Sequence, residues 1–293
     1  MMTDSLIRLL AKVLIRFHLL KKMIIVRVDG GICSQMHFFL IGQQLKEKGF
    51  LVKYDLDWFK NNGKDLTGKF ARNFDLLKAF PDLDVCVAKK YEIFFYSRLA
   101  YSSSAYQIAK APTYMEGYYA NDQSMYRKDF QRFFKFRKSV LDSENNKLFN
   151  EILTKSNTVA IHVRRGDLAV ANGAYGAPVN TDYFIKVLHK IQEEKGRLNC
   201  YIFSDEPEWV KNNMIQELPS ENSYYLVDIN GSDRGYMDMF LISACKFQIT
   251  SKGSLGKFGG FLNSDMNGKI YVYDDEIERN SWSNVHDKIE FIN

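Results

Sequence analysis

The sequence predicts an α/β protein made of two doubly wound domains, each built on a parallel sheet. Three observations carry that expectation. Short β-branched and apolar runs alternate with helical patterns along most of the 293 residues. A glycine turn, Gly30-Gly31, separates the first apolar run from the first long helix and opens a strand, turn, helix, strand unit. A second and more regular series begins near residue 157, and the length suits two domains of ordinary size or one large one.

The first 22 residues stand apart. Arg8, Lys12 and Arg16 recur four residues apart and share one stripe of a helix. A cation at every turn argues against a membrane-spanning helix, which needs about 20 mostly apolar residues, and it also spoils a signal-peptide core. Two readings stay open: a basic amphipathic helix lying on an anionic membrane face, or a helix docked on the protein's own surface.

The first domain is assigned to residues 23–150. Its opening strand, 23–28, is broken by Asp29-Gly30-Gly31. A helix then starts at Cys33 or Ser34 and runs to about Lys48, with Gly49 as its stop, and strand 50–54 follows. The glycine spacing is not that of the dinucleotide fingerprint G-x-G-x-x-G. Helices are expected around 73–80 and 91–109, a strand at 112–119, and a crossover between domains within 135–150.

The second domain, 151–293, reads as five strands (157–163, 200–203, 224–227, 247–250 and 269–273) alternating with helices at 181–194, 207–215, 238–246 and 253–263. There is no internal repeat and no low-complexity tract.

Composition narrows the function classes. With 46% hydrophobic and 26% charged residues the chain is a folded globular protein. The net charge of +5 permits an anionic ligand or membrane surface but falls short of a nucleic-acid-binding signature. Cys33, Cys86, Cys200 and Cys245 lack any C-x-x-C spacing, so reduced thiols of a cytoplasmic protein are expected, with neither a zinc site nor a disulfide framework. The triplets Asp55-Leu56-Asp57 and Asp82-Leu83-Asp84 are read as loop residues and not as a metal site. Residues 127–138 mix cations with aromatics. They are read as an amphipathic connector; the alternative is a grip on single-stranded nucleic acid or another anionic polymer, without any enzyme activity.

The residues able to carry chemistry gather at strand ends of the second domain. Strand 157–163 leads into Arg164, Arg165, Gly166 and Asp167, and the alternation of strand side chains puts His162 and Arg164 on one face and Arg165 on the other. An arginine at the carboxyl end of a buried strand needs a counter-charge, either a bound phosphate or an internal partner such as Asp167. Ser204 and Asp205 follow the next strand, Asp228 the third, and Ser251, Gly253 and Ser254 the point where strand 247–250 turns into a helix. A helix start rich in glycine and hydroxyl groups suits a phosphate, and a carboxylate such as Asp205 can accept both Watson–Crick N–H groups of guanine. Together these describe a site for a nucleoside diphosphate.

Several segments resemble α-1,2-fucosyltransferases of glycosyltransferase family 11. His162-Val163-Arg164-Arg165-Gly166-Asp167 is similar to their H-x-R-R-x-D signature, and Gly30-Gly31-Ile32-Cys33-Ser34-Gln35-Met36 to their G-G-L-G-N-Q-M. Phe203-Ser204-Asp205-Glu206-Pro207-Glu208-Trp209 is similar to F-S-D-D-x-x-W, and Met239 to Lys246 to a segment ending L-M-S-x-C-K. The family stretch N-S-S-F-S-W-W-G-A-W-L appears here as residues 252–262, with Lys257-Phe258 in place of the aromatic pair.

The resemblance implies a GT-B-like architecture, two Rossmann-like domains facing across a cleft with the acceptor side first. It implies transfer of L-fucose from GDP-fucose, with inversion and without a metal, to a galactoside hydroxyl in α-1,2 linkage. A donor carrying another 6-deoxyhexose is the alternative. The acceptor would be a cell-surface glycan or lipid-linked oligosaccharide, with residues 1–22 resting on the inner face of the membrane. Arg164 and Arg165, with Asp167, would form the catalytic group at the departing phosphate; His162 and Asp205 would hold the guanine; Gly30, Gly31, Gln35 and His37 would face the cleft from the acceptor side. His37, Asp29 and Glu116 are the candidates for the general base.

Overall fold

Each half of the chain forms its own parallel sheet. The computed structural model describes residues 3–65, 68, 71–99, 101–102, 113–116, 124–170, 176–265 and 267–293. By contacts the chain divides into Met1–Asp65, Ala71–Leu77 and Pro81–Met125 on one side, and Leu66–Phe70, Lys78–Phe80 and Tyr126–Asn293 on the other.

The first unit begins with α1 (Asp4–Arg16), whose Ile7 and Ala11 are buried. Next come β1 (Ile24–Arg27), α2 (Ile32–Glu47), β2 (Val52–Asp55), α3 (Asp57–Asn61), α4 (Leu76–Ala79), α5 (Lys90–Leu99), β3 (Tyr101–Ser102) and β4 (Thr113–Met115). The sheet order is β2-β1-β4-β3, all parallel. Parallel strands are covered on both faces, which is why Ile24, Ile25 and Val26 are all buried. α2 is buried almost all round, through Met36, Phe38, Phe39, Leu40 and Ile41.

Two expectations change here. The helix read at 91–109 ends at Leu99, and Tyr101–Ser102 pairs with Tyr114 and Met115 as a strand. Serines compete with the helix for backbone hydrogen bonds, and the run of three from Ser102 favours that early end. Of the strand read at 112–119, Thr113–Met115 is observed, while 103–112 and 117–123 lie outside the described residues.

The second unit carries α6 (Ser124–Lys128, shared with the first unit), α7 (Phe130–Phe133), α8 (Ser143–Thr154), β5 (Thr158–Val163), α9 (Gly166–Val170), α10 (Thr181–Lys195), β6 (Asn199–Ser204) and α11 (Pro207–Trp209). It continues with β7 (Ser223–Val227), α12 (Gly235–Ala244), β8 (Phe247–Thr250), α13 (Leu255–Leu262), β9 (Ile270–Tyr273), α14 (Glu276–Trp282) and β10 (Ile289–Ile292). The six strands run parallel in the order β10-β9-β8-β5-β6-β7, which places β5 between β8 and β6. β10 is a sixth strand beyond the five read from sequence, and it adds at the edge of β9.

The contact boundary falls at 125/126, earlier than the expected 150. The reason is aromatic packing. Phe130 stacks edge-on against Phe258 and Phe261, at 5.1 and 5.4 Å between ring centres, and Phe136 lies 4.4 Å from Phe240. The aromatics at 130 and 134 are therefore core and offer no stacking platform for bases. Among the described residues, no helix is long and apolar enough to cross a membrane.

Candidate active site

β5 sets the site. All six of its residues are buried, and the chain leaves the sheet at Val163 to give Arg164 and Arg165 as the two-residue link into α9. The alternation expected from sequence is present, and it sends the two arginines to different neighbours.

Arg164 turns toward the loop after β8. Its guanidinium grips Asp167 with two bonds, Nε to Oδ1 at 3.0 Å and Nη2 to Oδ2, a fork matched to a carboxylate. Its backbone N–H donates to the Ser251 hydroxyl at 2.8 Å. Gly253 lies directly beneath the guanidinium: its φ is +88°, and a Cβ there would come within 2.5 Å of Nη1. Only glycine fits.

Arg165 turns the other way and lies flat over Trp209, 3.6 Å from the ring centre, with Glu206 Oε2 at 3.4 Å. Asp205, read from sequence as a partner for guanine, accepts from the backbone N–H groups of Arg165 and Gly166 at 2.9 and 3.1 Å. Both of its oxygens are thus engaged in shaping the arginine turn. Ser204 serves its own loop, its hydroxyl accepting from the Glu206 N–H at 3.0 Å. Asp228 follows the edge strand β7, two strands from β5 and so about 10 Å to the side at the usual strand spacing.

His162 is buried in the sheet against Gly256 of α13, where an added Cβ would meet the His162 Cβ at 2.8 Å. Burial, reinforced by the positive charges of Lys257 and Arg164, pushes its pKa down to about 3, so the ring is neutral.

Sequence reasoning missed the support beneath this loop. Lys257 is fully buried, donates to the carbonyls of Ser251 and Gly253 at 2.9 and 2.7 Å, and pairs with the equally buried Glu278 at 2.7 Å. Burial, with a smaller push from the positive charge of Arg164, drives the Lys257 ammonium pKa down, and Glu278 opposes that shift. Beside it, Lys252 pairs with Asp275 at 2.7 Å. Burial alone would raise the Asp275 carboxyl, but the bond from Lys252 holds it below the usual range. The signal was a lone lysine in the otherwise apolar stretch Leu255–Leu262, which a buried acid had to match. Ser254 precedes α13 without a capping bond from its side chain.

In the first unit, Gly30 has φ +75° and Gly31 precedes α2. Gln35, read as facing the acceptor, is wholly buried. It donates to the carbonyls of Gly30 and Asn73 and accepts from the N–H groups of Asp75 and Leu76. It clamps the glycine turn to the chain at 73–76. His37 is buried too, edge-on to Phe38 at 5.7 Å, as a packed helix residue. The ends of β1 and β4 carry Arg27 paired with Glu116, and Asp29, whose carboxyl is raised by burial against the pull of Arg27. Asp55 is buried and accepts from the Tyr114 hydroxyl at 2.6 Å, so this D-x-D carboxylate serves the sheet. Among the described residues, no cluster of three or more His, Cys, Asp or Glu could hold a metal.

A guanidinium fixed by Asp167 beside a glycine-hydroxyl loop, at the carboxyl end of a central parallel strand, suits an anionic group such as a nucleotide phosphate. Residues 84–289 match the model of Glycosyl transferase family 11, and the chain belongs to that family. It is 22% identical over 267 residues to an α-1,2-colitosyltransferase of Escherichia coli, covering 82% of this chain and 88% of that protein. It is 29% identical over 115 residues to the O-antigen biosynthesis glycosyltransferase WbnK of Escherichia coli, a match spanning 39% of this chain and 37% of that protein. Among solved structures, the fucosyltransferase NodZ from Bradyrhizobium aligns at a TM-score of 0.49 and 14% identity, over 87% of this chain and 96% of that one. An E. coli ADP-heptose heptosyltransferase II aligns at 0.47 and 12% identity, over 92% of this chain and 90% of that one.

Proposed function

We propose that the chain transfers L-fucose, or a closely related deoxyhexose, from its GDP derivative to a hydroxyl of a surface glycan, with inversion and without a required metal. The observation that carries this is Arg164, held at the end of β5 by Asp167, Ser251 and Gly253. A guanidinium fixed in this way can stabilise the charge that gathers on the departing diphosphate, the work that some transferases give to a metal ion. The acceptor oxygen forms its bond to the anomeric carbon on the face opposite the diphosphate, the carbon–phosphate-oxygen bond breaks, and GDP leaves with the bonding pair.

The acceptor proton needs a base. Asp29 is the candidate best suited to it, because a carboxyl raised above its ordinary pKa holds a proton better than an exposed one. His37 and Gln35 are packed into the fold. The kinship with a protein named for colitose transfer keeps the deoxyhexose alternative open beside fucose.

The test is calorimetric titration of GDP into wild type and Arg164→Ala, with chelator present. Loss of about 2 kcal/mol or more in the variant is expected, the scale of a lost charge-assisted hydrogen bond. Equal affinity in the two proteins would overturn the assignment. Turnover with GDP-fucose set against GDP-colitose then decides the sugar.

A further inference from the structure

α1 divides its surface into three stripes. Ile7 and Ala11 are buried, with Leu14 and Ile15 packed on the cluster of Leu20, Met23, Ile25 and Tyr96, and Asp4 pairs with Arg98 of α5 at 3.1 Å. The helix is thus firmly docked on its own unit. A second stripe, Leu6, Leu9, Leu10, Val13 and Phe17, faces solvent, with Leu9 60% and Phe17 68% exposed. The third is Arg8, Lys12 and Arg16, all exposed. At 3.6 residues per turn the three stripes lie roughly 120° apart, so the cations border the exposed apolar stripe directly. The two sequence readings of this helix are therefore compatible: docking uses one face and leaves a second apolar face uncovered.

We propose that this exposed face of α1 is a docking surface for an anionic lipid bilayer, with Leu9, Val13 and Phe17 entering the headgroup boundary while Arg8, Lys12 and Arg16 meet the lipid phosphates. Charge complementarity selects the occupant. The sole acidic residue on α1 is Asp4, already paired with Arg98, so the face carries three cations with no acid of its own. A second copy of the chain would bring like charges together, whereas an anionic leaflet supplies the missing sign and an apolar layer at the same depth. Lys21 and Lys22, both exposed just beyond the helix, extend the same charge.

The test is co-sedimentation of the full chain with phosphatidylcholine vesicles and with vesicles containing phosphatidylglycerol. Preferential binding to the anionic vesicles, weakening with salt, is expected. Lys12→Glu should weaken it by about fivefold or more, on the usual scale of one surface cation. The pair Leu9→Ser with Phe17→Ser should weaken it at least tenfold, while GDP binding and thermal melting stay as in wild type. Three results overturn the proposal: no anionic vesicle binding by wild type; binding by both variants as tight as that of wild type; or a dimer in sedimentation that the Leu9 and Phe17 changes dissolve, which would make a second copy the occupant.

Discussion

Lys257 and Glu278 meet 2.7 Å apart with neither side chain reaching solvent, and the lysine spends its other donors on the carbonyls of Ser251 and Gly253. The loop that holds Arg164 therefore rests on a buried ion pair. Removing one partner of such a pair strands a charge and costs about 3–5 kcal/mol, whereas replacing both with apolar groups is far milder. Lys257→Met is expected to lose stability on that scale in urea denaturation. Adding Glu278→Leu should recover most of it, yet the double variant should still bind GDP more weakly, because the two loop carbonyls have lost their donor.

Gly253→Ala tests the fit beneath the guanidinium. The added methyl meets Nη1 at 2.5 Å in a backbone conformation that disfavours side chains. A loss of about 1–3 kcal/mol in stability is expected, with GDP affinity falling alongside. A variant with unaltered GDP affinity would show that Arg164 need not hold its present position.

Asp205 separates two roles that sequence leaves joined. As the acceptor for the Arg165 and Gly166 N–H groups it shapes the turn, and a guanine partner would instead select the base. Asp205→Ala is expected to lower GDP and ADP affinity by the same factor in competition binding. A selective loss for GDP would return the carboxylate to the base.

Stability should fall in acid through His162. Its folded pKa is about 3, lowered by burial and then by Lys257 and Arg164, while the unfolded ring titrates near 6.5. Between those values the unfolded chain binds the extra proton, so stability is full above about pH 6.5 and declines below it, by at most about 1.4 kcal/mol per pH unit. His286, lowered to about 4 chiefly by burial, acts in the same direction but more weakly, being only partly enclosed. His162→Gln should flatten the urea midpoint's dependence on pH between 7 and 5.

Asp29→Asn should reduce turnover at least a hundredfold while leaving GDP affinity within twofold, the pattern of a lost base. In the wild type the rate should rise with pH through a pKa above the ordinary aspartate value, because burial raises that carboxyl. A proportional loss of GDP binding would mean that Asp29 supports the fold.

What the sequence determined by itself is local or periodic. β5, β6 and β8 are runs of β-branched and aromatic residues whose burial on both faces makes them readable, and the alternation of His162, Arg164 and Arg165 follows from the pleat. The strand-end cluster was legible because parallel sheets gather ligand groups at their carboxyl ends. What each polar group holds was decided by tertiary structure. Asp205 spends its oxygens on backbone N–H groups that only the β5–β6 pairing brings within reach, and Lys257 finds its counter-charge 21 residues further on, in α14. Hydrogen-bond partners distant in sequence leave no periodic trace, since their meeting depends on strand order, and an identical aspartate can bind a base or fasten a turn. Composition names the groups; their neighbours assign the work.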